Sequence, residues 1–133
     1  MKTQYPILTV GSIALDNLET IKGKRERVLG GSATYFAMAA SHFTEVRVVG
    51  VVGTDFTKDG HSIFKAHNID NKNLQVIDGK TFSWGGKYST DFSSRETLFT
   101  NLGVFEHFNP IIHPDHITTP IIFLGNIHPK LQM

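Results

Sequence analysis

The chain has 133 residues, 40% of them hydrophobic, 19% charged and 11% aromatic. That length fits one domain, and ten Phe offset a modest apolar fraction, so disorder is excluded as the main state. Thirteen Lys and Arg against twelve Asp and Glu leave a net charge of +1, which supplies no basic excess for nucleic acid or an anionic membrane. Cysteine is absent, which excludes disulfides and thiolate chemistry and fits a reducing compartment.

Ile7–Gly11 is a short, β-branched run of the kind that forms a strand buried on both faces. Gly11 and Ser12 interrupt the apolar stretch and Asp16 closes it, which argues against a signal peptide. No run approaches the length a membrane span needs. Lys22–Arg27 is a charged turn between the extended pieces Leu18–Ile21 and Val28–Leu29, a small exposed hairpin. Gly30, Gly31 and Ser32 open a helix with Ser32 as N-cap, and Ala33, Phe36, Ala37 and Ala40 share its inner face. Arg47–Gly53 is a second buried strand. Lys58–His67 is a shorter helix with Ile63, Phe64 and His67 inward, stopped by Asn68. Leu74–Ile77 is a third strand.

From residue 81 the pattern changes. Thr81–Ser89 and Arg95–Leu102 alternate in polarity, with glycine breaks, as antiparallel strands with one wet face do. Pro110–Pro120 reads as a loop with one helical turn, and Ile121–Gly125 as a fourth buried strand. Buried runs alternating with helices predict a parallel sheet covered on both faces, with the antiparallel strands forming a separate small layer.

Asp16 stands just past the C-terminal end of the first strand, where ligands of open α/β sheets bind. An ionised carboxylate there can accept two sugar-hydroxyl hydrogen bonds; a solvated turn Asp has the same sequence appearance. Gly30 and Gly31 at a helix start let a ligand approach the backbone and meet free N–H groups, and an ordinary tight turn would also use them. Asp55, after the strand-ending Gly53, reads as a turn residue. The sequence has no G-x-G-x-x-G and no P-loop, which removes the main support for a nicotinamide cofactor, and G-x-S-x-G is also missing. His107, His113, His116 and His128 read as solvated loop histidines; Pro114 breaks any regular ligand face, so no metal site is expected. Trp84 and Tyr88, on one strand face, fit either a pocket wall or the core of the small layer.

Three segments taken in order, G-S-I-A-L-D (11–16), G-G-S-A-T-Y-F-A-M-A-A (30–40) and V-G-V-V-G-T-D-F-x-x-D-G (49–60), resemble the N-terminal half of the PfkB (ribokinase-like) carbohydrate kinase family. The likeness runs on through K-T-F-S-W-G-G-K-Y (80–88) and I-F-L-G-N-I-H-P (122–129). It implies a ribokinase-like α/β fold: a doubly wound, mostly parallel sheet with a small antiparallel β lid, residues 1–133 being the N-terminal part of the kinase domain and 16–29 and 81–102 the lid. It also implies ATP-dependent phosphorylation of a sugar or nucleoside hydroxyl with Mg2+ in a cytoplasmic enzyme. Asp16 would bind substrate hydroxyls, Gly30, Gly31, Ser32 and Tyr35 would line the same pocket, and the lid would serve for homodimer contact.

The sequence departs from the family in three places. Ala14 and Tyr35 stand where ribokinase-type members carry Asn, which removes two amide contacts to a ribose-like ligand; Tyr35 is then free to stack on a base or sugar face, or to pack. The family's catalytic G-A-G-D stretch, which supplies the general base and the anion hole, does not occur in these 133 residues. The expectation is therefore a sugar-binding half that is inactive alone and binds neither ATP nor Mg2+, its exposed sheet edge making it poorly soluble or paired with another copy. The alternative is a non-catalytic half-domain that binds a sugar or a partner chain.

Overall fold

The computed structural model describes residues 3–133. In chain order its elements are β1 (Thr3–Val10), β2 (Ala14–Thr20), β3 (Gly23–Gly30), α1 (Ser32–Ala40), β4 (Thr44–Gly53), α2 (Lys58–Ala66), β5 (Asp70–Ile77), β6 (Ser83–Tyr88), β7 (Arg95–Asn101), β8 (Ile121–Leu124) and α3 (Pro129–Gln132). Short 3-10 turns lie at Gly103–His107 and Pro114–His116. No helix among the described residues is long and apolar enough to cross a membrane.

The strands form two four-stranded sheets. The large one has the order β5-β4-β1-β8 and is parallel throughout. β4 lies inside it, and Val46, Val48, Val49, Val51 and Val52 are buried. This is the β-branched, continuously apolar composition that a strand covered on both faces requires. One face packs on Ala33 and Ala37 of α1 and on Phe64 of α2. The other face, Leu8, Val10, Val49 and Val51, is covered by Val104, Phe105, Phe108, Ile127 and Leu131. A 3-10 turn, a loop and the single turn of α3 thus do on this side what helices do on the first.

The helix starts differ from expectation in detail. The N-cap of α1 is Gly31, whose φ of 98° an L side chain rarely adopts. Ser32 is already inside the helix, and its backbone N–H donates to Ser12 Oγ at 3.0 Å. Ser12, from the loop after β1, therefore caps α1 from outside and fastens it to the sheet. In α2, Thr57 Oγ1 accepts from Gly60 N and Asn68 follows in a left-handed conformation. The inward pair is Gly60 and Phe64, one turn apart. Ile63 is exposed rather than inward, because Phe56 and Phe64 fill the space beneath the helix.

The second sheet has the order β3-β2-β6-β7. The β2–β3 and β6–β7 pairs are antiparallel, but β2 and β6 run parallel, so this layer is mixed rather than antiparallel. Both strands leave the same end of the large sheet, β2 after β1 and β6 after β5, and they begin side by side, with Leu15 N donating to Phe82 O at 2.9 Å.

β8 is the main correction. Its sequence reads as fully buried, yet Ile121, Ile122, Phe123 and Leu124 are all exposed, between 39% and 57%. The strand is an edge with β1 as its sole neighbour in the sheet, and its principal aromatic cover is Phe36, stacked on Phe123 at 3.8 Å.

Candidate functional site

The loop from β1 into β2 and the junction of β3 with α1 meet at the C-terminal end of the large sheet. Asp16 lies in β2 opposite Val28 of β3, and its carboxylate rests against the Cα of Gly30, where any Cβ would overlap Oδ2. Glycine at 30 is thus a condition for the carboxylate to lie where it does. Asp16 Oδ1 is buried with no hydrogen-bond partner among the described residues. Burial pushes the carboxyl above its ordinary value, and the Trp84 backbone N–H pulls partly the other way. No cation among the described residues contributes to that balance. A half-buried carboxylate with a free acceptor oxygen and no counter-charge is suited to neutral donors such as hydroxyl groups.

Gly31 and Ser32 also hold the chain segments around the site together. A Cβ at Gly31 would strike the Ser12 backbone, so this glycine serves the close crossing of two chain segments. Ser32 Oγ accepts from Ser12 N at 3.2 Å and lies 3.3 Å from Ser12 Oγ. It is also the nearest side chain to Gly11 and Gly125. The hydroxyl is therefore a structural tie beside the site.

Tyr35, one turn into α1, is 61% exposed. Its phenol is raised by partial burial, with the nearby Asp16 and Tyr88 adding. Tyr88 in turn stands 6.3 Å from Phe92, ring centre to ring centre. Trp84 covers Gly86 and lies under the Arg95 guanidinium at 5.2 Å, with its Nε1 donating to Thr97. Trp84 belongs to the small sheet's own packing.

Asp55, in the turn after β4, accepts from Thr81 N at 2.8 Å and Thr81 Oγ1 at 2.7 Å. Thr81 Oγ1 in turn accepts from Gly53 N. Arg27 of β3 donates to the Asp55 carbonyl at 2.8 Å and places a second guanidinium nitrogen 3.8 Å from the carboxylate. Burial would raise this carboxyl, but Thr81, Arg27 and Lys80 outweigh it and hold it below the ordinary value.

Of the loop histidines, His116 is not solvated: it is 3% exposed. Asn73 Oδ1 accepts from His113 N, so the Asn73 amide nitrogen faces His116 Nδ1 at 2.7 Å, and His116 Nε2 faces Asp70 at 3.2 Å. This cluster ties residues 113–119 to β5. No group of three or more His, Cys, Asp or Glu stands together for a metal among the described residues. A surface hollow of about 620 Å3 lies away from Asp16 between α2 and the start of β5. Its one carboxylate, Asp70, is already engaged by His116 and the Lys72 backbone N–H.

No protein-family model matches the sequence, and no curated protein matches it. Solved structures do. A nucleoside kinase of Methanocaldococcus jannaschii, an archaeal member of the ribokinase family, superposes with a TM-score of 0.76 at 21% identity over 98% of this chain and 48% of its own. A ribokinase from Cryptococcus neoformans var. grubii in complex with ADP gives 0.75 at 16% identity over 92% and 41%. A Burkholderia thailandensis nucleoside kinase in complex with inosine gives 0.65 at 22% identity over 73% and 36%. The likeness shows a ribokinase-like α/β fold, and the chain spans about half the length of the neighbour it matches over 98% of its residues.

Proposed function

We propose that these 133 residues form the substrate-binding half and lid of a ribokinase-like kinase that phosphorylates a hydroxyl of a sugar or nucleoside. The observation that carries this is Asp16: a carboxylate at the C-terminal end of a parallel sheet, where ligands of such sheets bind, seated against Gly30, with a buried oxygen that no described residue satisfies. A substrate hydroxyl donating to it would make a charge-assisted bond worth about 1.5–3 kcal/mol. In this reading the small sheet is the lid, Gly30 and Gly31 form the pocket floor, and Tyr35 lies at its rim to stack on a flat or apolar ligand face. Ser32 holds the floor in place through Ser12.

Ala14 is buried, so position 14 packs and gives no amide to the ligand. The loss of amides at 14 and 35 argues against the ribose contacts that such amides would make and leaves the sugar open. The inosine and ADP held by structural neighbours make nucleosides the first compounds to test. ATP and Mg2+ are the expected co-substrate and cofactor of the complete fold. The G-A-G-D stretch that would position them does not occur in the sequence. Phosphoryl transfer, which needs positioned charge around the moving group, would draw on residues outside these 133. The enzyme so formed would be cytoplasmic, with lid-to-lid pairing of two copies as its expected assembly.

A panel of hexoses, pentoses and nucleosides, inosine included, screened by thermal shift and then assayed with MgATP, tests this reading. Expected is stabilisation by one hydroxyl-bearing class without turnover by these residues alone. Stabilisation by no member of the panel would sink it. Binding that persists without turnover even when a G-A-G-D-containing half is supplied would favour a non-catalytic sugar-binding module.

A further inference from the structure

Asp16 and the Gly30 beneath its carboxylate both belong to the small sheet, and Gly31 joins them to α1 on the large one, so the two sheets must keep a fixed relation for the site to hold its shape. In this chain the tie is concentrated at Asp55. Its carboxylate is immobilised by both the amide and the hydroxyl of Thr81, just before β6, and Thr81 is itself bonded to the end of β4. The other arm comes from β3: Arg27 reaches the Asp55 carbonyl and carboxylate.

Arg27 is also one of three described non-glycine residues with a positive φ, 55°, a conformation that persists only when its surroundings impose it. Its backbone N–H donates to Asn17 Oδ1 at 2.9 Å, and the β2–β3 register shifts between Asp16 and Leu18. The irregularity that aims Arg27 at Asp55 therefore adjoins Asp16, whose pairing partner Val28 is the next residue. Bulges beside functional sites commonly re-aim a side chain in this way.

We infer that Arg27 and Asp55 form a latch between β3 and the turn after β4 that positions the small sheet on the large one and sets how deeply Asp16 is buried. The inference rests on the small sheet being a lid only for its functional meaning; the latch itself is a statement about two sheets. Arg27 is a positioning residue and makes no contact with substrate.

The test needs no ligand, so its outcome is separate from the fate of the substrate reading. Hydrogen exchange is compared for the wild-type chain, Arg27→Ala, Arg27→Lys and Asp55→Asn, together with an NMR titration of the Asp16 carboxyl carbon. In Arg27→Ala, amides of Val28–Gly30 and Ser83–Gly86 should exchange ~3- to 10-fold faster while Val46–Val52 stay unchanged. The Asp16 titration should move down toward the ordinary carboxylate value as the site opens, and Arg27→Lys should recover part of both effects. Arg27 is half-exposed, so its removal leaves a folded chain even if Asp55→Asn does not. Unchanged exchange in the small sheet, a uniform rise across both sheets, or an Asp16 titration identical to wild type would each overturn the latch.

Discussion

An ionised carboxylate whose buried oxygen lacks a partner costs stability, and the protein tolerates that cost at Asp16. Because its folded value is raised, the stability it contributes is fully present below the unfolded value, near pH ~3.9, and is lost as pH rises through the folded one. Asp16→Asn, which cannot ionise, should therefore melt above wild type at pH 7, with the two curves converging near pH ~3.5. Equal melting temperatures at pH 7 would mean the carboxylate is satisfied by water and not poised for a ligand. Gly30 and Gly31 separate by the same method. Gly31→Ala places a left-handed alanine against the Ser12 backbone and should cost about 1–3 kcal/mol in denaturant unfolding. Gly30→Ala meets only the end of a side chain; it should unfold near the wild-type midpoint but displace the Asp16 carboxylate. Asp16 and both glycines are visible in the sequence. The work of Ser32 is not, since its partner Ser12 lies twenty residues earlier, and neither is the buried state of His116, which depends on Asn73 and Asp70 more than forty residues away.

At the scale of elements, the legible parts are those whose own residues dictate their surroundings. The alanine face of α1 and the valine run of β4 require a sheet and a cover, and they have them. Phe64 is fully buried between α2 and β4, so Phe64→Ala should cost ~3–5 kcal/mol, read from denaturant midpoints. Ile63 shows the limit: a helix of nine residues presents too few turns for spacing alone to choose between two adjacent apolar positions. The Asp55 tie carries a pH dependence of the opposite sense to Asp16. Its folded value is depressed, so its contribution is present above the unfolded value and lost as pH falls through the folded one. Trp84, the single tryptophan, lies in β6 and should report loosening of the small sheet by a fall in fluorescence anisotropy on acidification. In Asp55→Asn that acid step should be absent.

For the molecule as a whole, β8 states the difference between what a segment needs and what it has. Its composition records a strand made for cover on both sides, and composition cannot say which neighbours are present. An apolar edge with open N–H and C=O groups invites pairing. Ile122→Lys, on a residue already 57% exposed, should lower self-association in sedimentation velocity without lowering the melting temperature. The fold was legible because three glycine-bearing segments occur in order along 50 residues (11–60). The inter-sheet tie and the open edge emerge only when distant segments are brought together. The most direct test of the account is titration calorimetry of the best binder from the sugar and nucleoside panel against wild type, Asp16→Ala and Ser32→Ala. The account predicts that Asp16→Ala weakens binding by ~10- to 150-fold while Ser32→Ala, whose hydroxyl is turned to Ser12, changes it far less. Undiminished affinity in Asp16→Ala would contradict it.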